Sequence, residues 1–207
     1  MKRLFCIALC FLVLCLSGCG NNEDTPSNST TAEKIETIVG IGKFEDMEYG
    51  LGADVDTVKD YYSGLVDEYN EIHMNDSQDG EHSHVHDHEA VIPYYSLNKK
   101  DGYTEIDASD VRFYYINKKS ENGISVIATD KDVFGFTMGS TTKYDVEEAM
   151  AVKGETRNAT EDDLRLLAFP VEPMVILRYE YENRMLDFYF YENMLVTVAI
   201  IDSENWE

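Results

Sequence analysis

Apolar residues crowd the N-terminus first: residues 4–16 run without a charge behind Lys2 and Arg3. That run is shorter than the ~20 residues a membrane-spanning helix needs, and it suits the apolar region of a secretory signal. Residues 20–32 then carry no large apolar side chain and read as a flexible tether. The pattern resumes at Ile35, Ile38, Val39 and Ile41 before Gly42, which fits either a first strand or a short helical lead-in. The clearest helix follows. Val55, Val58, Tyr61, Tyr62, Leu65, Val66, Tyr69 and Ile72 recur at the spacing that lays one stripe against a core. Asp54 precedes them as a side chain suited to accept from the free amides of a first turn. The tyrosines of this stripe read as core and boundary residues rather than as a ligand box. Across residues 73–89 the period is lost, and residues 74–81 read as loop.

Extended segments alternate with turns beyond that point. Strands are predicted at 91–97, 103–106, 111–116 and 124–129, with a turn at 98–102. Asn122-Gly123 supplies the positive φ of a tight turn between the third and fourth of these. Thr142 with Asp145, and Thr160 with Asp163, have the spacing of capping boxes and predict two helix starts. Val146, Ala149 and Met150 give the first an apolar face, while Pro170 and Pro173 stop the second near Ala168. The C-terminal section reads as a three-stranded meander at 175–181, 185–191 and 194–201. Val175, Leu177, Tyr179 and Tyr181 share a face opposite Arg178 and Glu180, and Leu186, Phe188 and Phe190 oppose Asp187, Tyr189 and Tyr191. One face is then core and the other polar, with Tyr189 and Tyr191 exposed as candidate partner-binding residues.

The fold class predicted is α+β, a helix plus an antiparallel β-meander. Tyr49-Gly50-Leu51-Gly52, ahead of a helix with Val58 and Tyr62, aligns with Phe136-Thr137-Met138-Gly139, ahead of a helix with Val146 and Met150. The alignment admits either chance or two tandem related units, 34–134 and 135–207, the first interrupted by an insertion at 73–89.

Charge narrows the function classes. The chain carries 40 acidic against 17 basic residues, a formal net charge of -23. Such a surface repels phosphate backbones, so nucleic-acid binding is excluded from the reading, and it holds the body off anionic lipid. The four cysteines are Cys6, Cys10, Cys15 and Cys19, so removal of residues 1–18 leaves Cys19 alone. No disulfide, thiolate metal site or cysteine nucleophile is then expected. No glycine-rich phosphate loop is present, and any Ser/His pair would draw its base from a loop without rigid positioning. The reading is therefore of a protein that is not an enzyme.

Leu16-Ser17-Gly18-Cys19, behind the basic and apolar N-terminus, resembles the lipobox of bacterial lipoproteins. That resemblance implies a signal peptide at 1–18 and a lipidated Cys19 opening a tether at 19–33. It also implies anchoring by a diacylglyceryl group on the extracytoplasmic face of the cell membrane. The second half resembles the small α+β unit of outer-membrane assembly lipoproteins of the BamE (SmpA/OmlA) type and of the β-lactamase inhibitor protein. Met138-Gly139-Ser140-Thr141, Val146 and the strands after Val175 carry the likeness. Val152-Lys153-Gly154 stands where those proteins have a Leu-Gly-x-Pro helix end. The resemblance implies a non-enzymatic binding or envelope-maintenance module presenting a sheet face to a protein partner in the cell envelope.

One stretch carries metal chemistry. All five histidines lie within residues 73–88, and His82, His84, His86 and His88 alternate with other residues. In an extended chain neighbouring imidazoles of this set stand ~7 Å apart, too far for one ion. A folded-back loop closes the distance, and Asp79, Glu81, Asp87 or Glu89 then complete a nitrogen and oxygen shell for Zn²⁺, Ni²⁺ or Cu²⁺. The alternative reading of function is accordingly a metal-binding or metal-sensing lipoprotein.

Overall fold

β-branched and aromatic side chains fit a pleated surface, and the segments richest in them become strands. These are β1 (Ser96–Lys99), β2 (Tyr103–Ala108), β3 (Val111–Ile116), β4 (Val126–Thr129), β5 (Glu155–Asn158), β6 (Met174–Tyr181), β7 (Arg184–Tyr191) and β8 (Met194–Asp202). The computed structural model describes residues 30–76, 92–109, 111–117, 123–168 and 170–206. Its strands form one antiparallel sheet of eight in the order β1-β2-β3-β4-β8-β7-β6-β5. With the helices α1 (Thr31–Ile41), α2 (Val55–Asp76), α3 (Lys143–Met150), α4 (Glu161–Leu164) and α5 (Ser203–Trp206), the class is α+β.

Residues 35–41 thus take the helical alternative. Thr30 and Glu33 close a capping box, and Gly42 ends the helix at φ 75° with its N–H donating to the Ile38 carbonyl at 2.8 Å. Helix α2 starts where the pattern places it, with the Thr57 amide donating to Asp54 Oδ1 at 2.9 Å. It runs on to Asp76 rather than ending at Ile72. Neither Pro nor Gly stands between Ile72 and Asp76, and a formed helix extends at small cost even without an apolar stripe. Both later capping boxes form, Thr142 with Asp145 and Thr160 with Asp163, although α4 ends at Leu164 in a turn instead of reaching Ala168. Of the strand predicted at 91–97, β1 keeps Ser96 and Leu97 and runs on through Asn98 and Lys99, which the pattern assigned to a turn.

Hairpin β3–β4 pairs in register, with Phe113 opposite Ile127. Gly123 does not need a positive φ there. A Cβ at Gly123 would stand in contact with the Gly52 backbone at 3.4 Å, where the chain entering α2 bridges to the chain entering β4. Gly52, at φ 77°, donates to the Ile124 carbonyl at 2.8 Å, and Ile124 donates back to Ala53. Gly139, at φ 74°, does the same ahead of α3, donating to Leu195 at 2.7 Å while Leu195 donates back to Thr141. The fourth strand of each run of four is therefore tied, at or just before its start, to the loop that precedes a helix. Strands β4 and β8 then join the two runs, with Ala128 opposite Ala199.

Helices α1, α2 and α3 bury Ile38, Val58, Val146 and Met150 against one sheet face, where Phe113, Leu186, Phe188 and Ile200 lie. The opposite face is also a core. Tyr114, Ala128, Ile176, Tyr189 and Ala199 pack there beneath Leu166, Leu167 and Trp206. This corrects the expectation of a polar, solvent-facing side. Tyr189 is 0% exposed, and Tyr191 is half-buried at the margin of the same cluster. The cause is visible in the pairing, because residues directly opposite in an antiparallel sheet share a face. Tyr189 stands opposite Ile176 on β6 and Thr197 on β8, so its neighbours are the covered ones.

The charges on that second face survive burial by pairing. Arg178 grips Asp187 through two bonds of 2.7 and 2.6 Å. Arg112 grips Asp130 at 2.7 and 2.8 Å and also donates to the Leu166 carbonyl at 3.2 Å, holding the covering turn onto the sheet.

Candidate functional site

The site is built where α2 stands away from the sheet. Tyr61 and Tyr62 are consecutive, so on a helix their side chains leave the axis about 100° apart. Tyr62 packs its ring 5.3 Å from that of buried Phe113, and Tyr61 meets Tyr62 edge-on at 5.1 Å. Tyr61 is 38% exposed, and Leu65, one turn along the same stripe, is 37% exposed. Tyr49 closes on the other side of Tyr61, edge-on at 5.3 Å. A ladder of rings thus leads from the surface to the core.

Opposite the helix, the loop at 44–48 is pinned by Phe44, which is buried with its ring 5.8 Å from Phe134. Pinning Phe44 presents the next residues outward: Glu45, Asp46 and Glu48 are exposed, with Asp46 at φ 64°. The third wall is the chain entering β1, where the Tyr94 amide donates to Ser109 Oγ at 3.1 Å and the Tyr94 side chain is left 51% exposed. Ala108, Val111 and Thr129 floor the space, and Lys131 and Asp132 stand at its end. The resulting groove has a volume of about 410 Å³.

Electrostatically the groove is negative. Four of its lining side chains are acidic, Glu45, Asp46, Glu48 and Asp132, against Lys131. Asp132 Oδ1 accepts from the Met138 amide at 2.8 Å. Among the described residues no cation is paired with the carboxylates of Glu45, Asp46 or Glu48. The Tyr62 hydroxyl is pushed up to about 12, first by burial and then by Tyr61, Glu48 and Tyr49 around it. Apolar and aromatic walls with a few convergent charges are the make-up of a binding cleft.

The sequence-predicted residues fall elsewhere. Cys19 and His82, His84, His86 and His88 lie outside the described residues. Tyr189 and Tyr191 belong to the second core, and the Tyr189 hydroxyl has no hydrogen-bond partner among the described residues. Burial pushes it well above its usual range. Among the described residues no group of three or more His, Cys, Asp or Glu side chains is arranged to hold a metal ion, and no helix is long and apolar enough to cross a membrane.

The sequence pattern placed Tyr61 and Leu65 on a core-facing stripe and passed over Tyr94 and the loop at 44–48. One signal was available. Glu45, Asp46 and Glu48 crowd a short segment before the helix. No protein family, curated protein or solved structure matches this chain.

Proposed function

We propose that this chain is an extracytoplasmic lipoprotein, anchored through Cys19, whose α+β body binds a protein partner without catalysing a reaction. The observation that carries the binding role is the groove beside α2, where Tyr61, Leu65 and Tyr94 stay exposed around a rigid ring ladder. Large aromatic side chains left at a surface beside a pinned loop are the usual anchors of an interface, since they bury area at little cost in side-chain freedom. The partner surface therefore moves from Tyr189 and Tyr191 to this groove. The lipobox at residues 16–19 and the polar tether after it support the anchoring, and the strongly negative body supports a module held clear of the bilayer.

Two related units remain the reading of the architecture. Its support is the equivalence of Gly52 and Gly139, both at positive φ and both bonded to the chain at or just before the start of a closing strand, together with the Ala128 to Ala199 pairing.

The test is recovery of partners from cell membranes by the full chain beside Tyr61→Ala/Tyr94→Ala, with Tyr144→Ala on α3 as control. A partner lost only in the groove variant is the expected result. Equal recovery in all three removes the groove from the function. Incorporation of labelled palmitate, abolished by Cys19→Ser, tests the anchor separately.

The second reading, metal binding, rests on four histidines within residues 82–88. Calorimetric titration with Zn²⁺ of the chain and of the variant with His82, His84, His86 and His88 changed to Ala decides it. Submicromolar binding lost in the variant supports it, and equal or absent binding ends it.

A further inference from the structure

The groove beside α2 combines two features that select the same ligand. Tyr61 and Tyr94 line it as exposed rings, and its rim carries Glu45, Asp46 and Glu48 without a paired cation among the described residues. A cation over an aromatic face is attracted by the ring's quadrupole, and the more strongly as water is excluded. Carboxylates at the rim add a long-range attraction. The same helix already shows this chemistry internally: Lys59 Nζ stands 5.2 Å over the Tyr115 ring while bonding Asp56 at 3.1 Å. That pair is a cation held between a tyrosine and an acid.

Size and charge decide between occupants. A volume of about 410 Å³ is at the small end of ligand pockets, typically about 300–1,000 Å³, so it takes one or two side chains of a segment rather than a folded surface. A second copy of this chain would bring an equally negative surface and be repelled. Leu65, Met47 and Val111 provide apolar wall beside the charged rim, which suits a long aliphatic stem ending in a cation. We propose that the groove docks an extended protein segment carrying Arg or Lys next to an aliphatic residue. The cation lies between Tyr61, Tyr94 and the Glu45-Asp46-Glu48 rim, and the aliphatic residue sits against Leu65 and Met47. This rests on the groove being the docking site.

The experiment uses the full chain in neutral detergent and a fluorescein-labelled hexapeptide of alternating Arg and Leu, read by anisotropy. Its counterpart carries citrulline for Arg, which keeps the shape and removes the charge. Binding of the Arg peptide should weaken about tenfold or more with citrulline, and by a similar factor in Glu45→Gln/Asp46→Asn/Glu48→Gln, since three partial charge contacts are lost. Tyr94→Ala should weaken it about two- to fivefold. All the altered side chains are exposed, and an unchanged circular dichroism spectrum confirms the fold. Equal binding of the two peptides, or equal binding by the carboxylate variant, overturns the proposal. If the partner recovered from membranes depends on Tyr61 and Tyr94 while the two peptides bind alike, the docking site stands and its cationic preference falls. If neither depends on the groove, both fall together.

Discussion

Asp187 shows what a single buried charge demands. Its side chain is fully covered on β7, and burial pushes its carboxyl above the usual range while the two bonds from Arg178 oppose that. Removing one partner leaves the other charge uncompensated, which costs about 3–5 kcal/mol. Arg178→Ala should lower the urea midpoint accordingly, whereas Arg178→Met/Asp187→Leu should lie much nearer the parent. A loss below about 1 kcal/mol in the single variant contradicts the pairing. Asp163 is the complementary case. Burial alone would raise it, but the Arg157 bonds at 2.5 and 2.7 Å, the Thr160 amide and hydroxyl and the Arg157 charge hold it at about 2 against an ordinary 3.8. A carboxyl whose folded value is depressed stabilises above its unfolded value and loses that contribution as pH falls through the folded one. Stability should therefore drop between pH 3.8 and about 2, and Asp163→Asn should flatten that part of the profile. Neither acid announced itself among the 40 in the sequence. Single-strand alternation put Asp187 and Tyr189 on the same polar side, but only the cross-strand partners Arg178 and Ile176 show that this side is covered.

Elements were legible where local rules govern them. Caps need only neighbouring residues, so Thr142 with Asp145 and Thr160 with Asp163 could be read directly, and the β6–β8 meander follows from period-two patterning between turns. Helix α1 was ambiguous because its short apolar run fits either period. What fixes it is partly distant: Arg184, at the start of β7, donates through Nη1 to the Val39 carbonyl at 2.6 Å and to that of Gly40. A cation there meets the last carbonyls and the negative end of the helix. Arg184→Ala should cost about 1–2 kcal/mol, read as a lower denaturation midpoint and as faster amide exchange in α1 than in α3. Uniform protection in both helices would contradict that tie. The length of α2 escaped the pattern for the opposite reason, since its last turn is helical without an apolar stripe to signal it.

At the scale of the molecule, both runs of four strands share one sheet and one helix-covered core, in which Phe44, Phe134 and Phe188 contact in sequence across the two halves. The α+β class was legible from patterning. That the sheet buries both faces was not, because Leu166, Leu167 and Trp206 reach the second face only once the chain has folded back over it. With that face covered, the groove beside α2 is an aromatic, negatively lined surface left open among the described residues, and the lipid anchor proposed at Cys19 would hold the body on the extracytoplasmic side. The most direct measurement is photo-crosslinking in intact cells from a reactive phenylalanine analogue placed at position 94, in the groove, or at position 144, which is 69% exposed on α3. A discrete partner crosslinked from position 94 and not from position 144 is the predicted result. Crosslinks from position 144 alone, or identical patterns from both, would contradict the groove as the binding site.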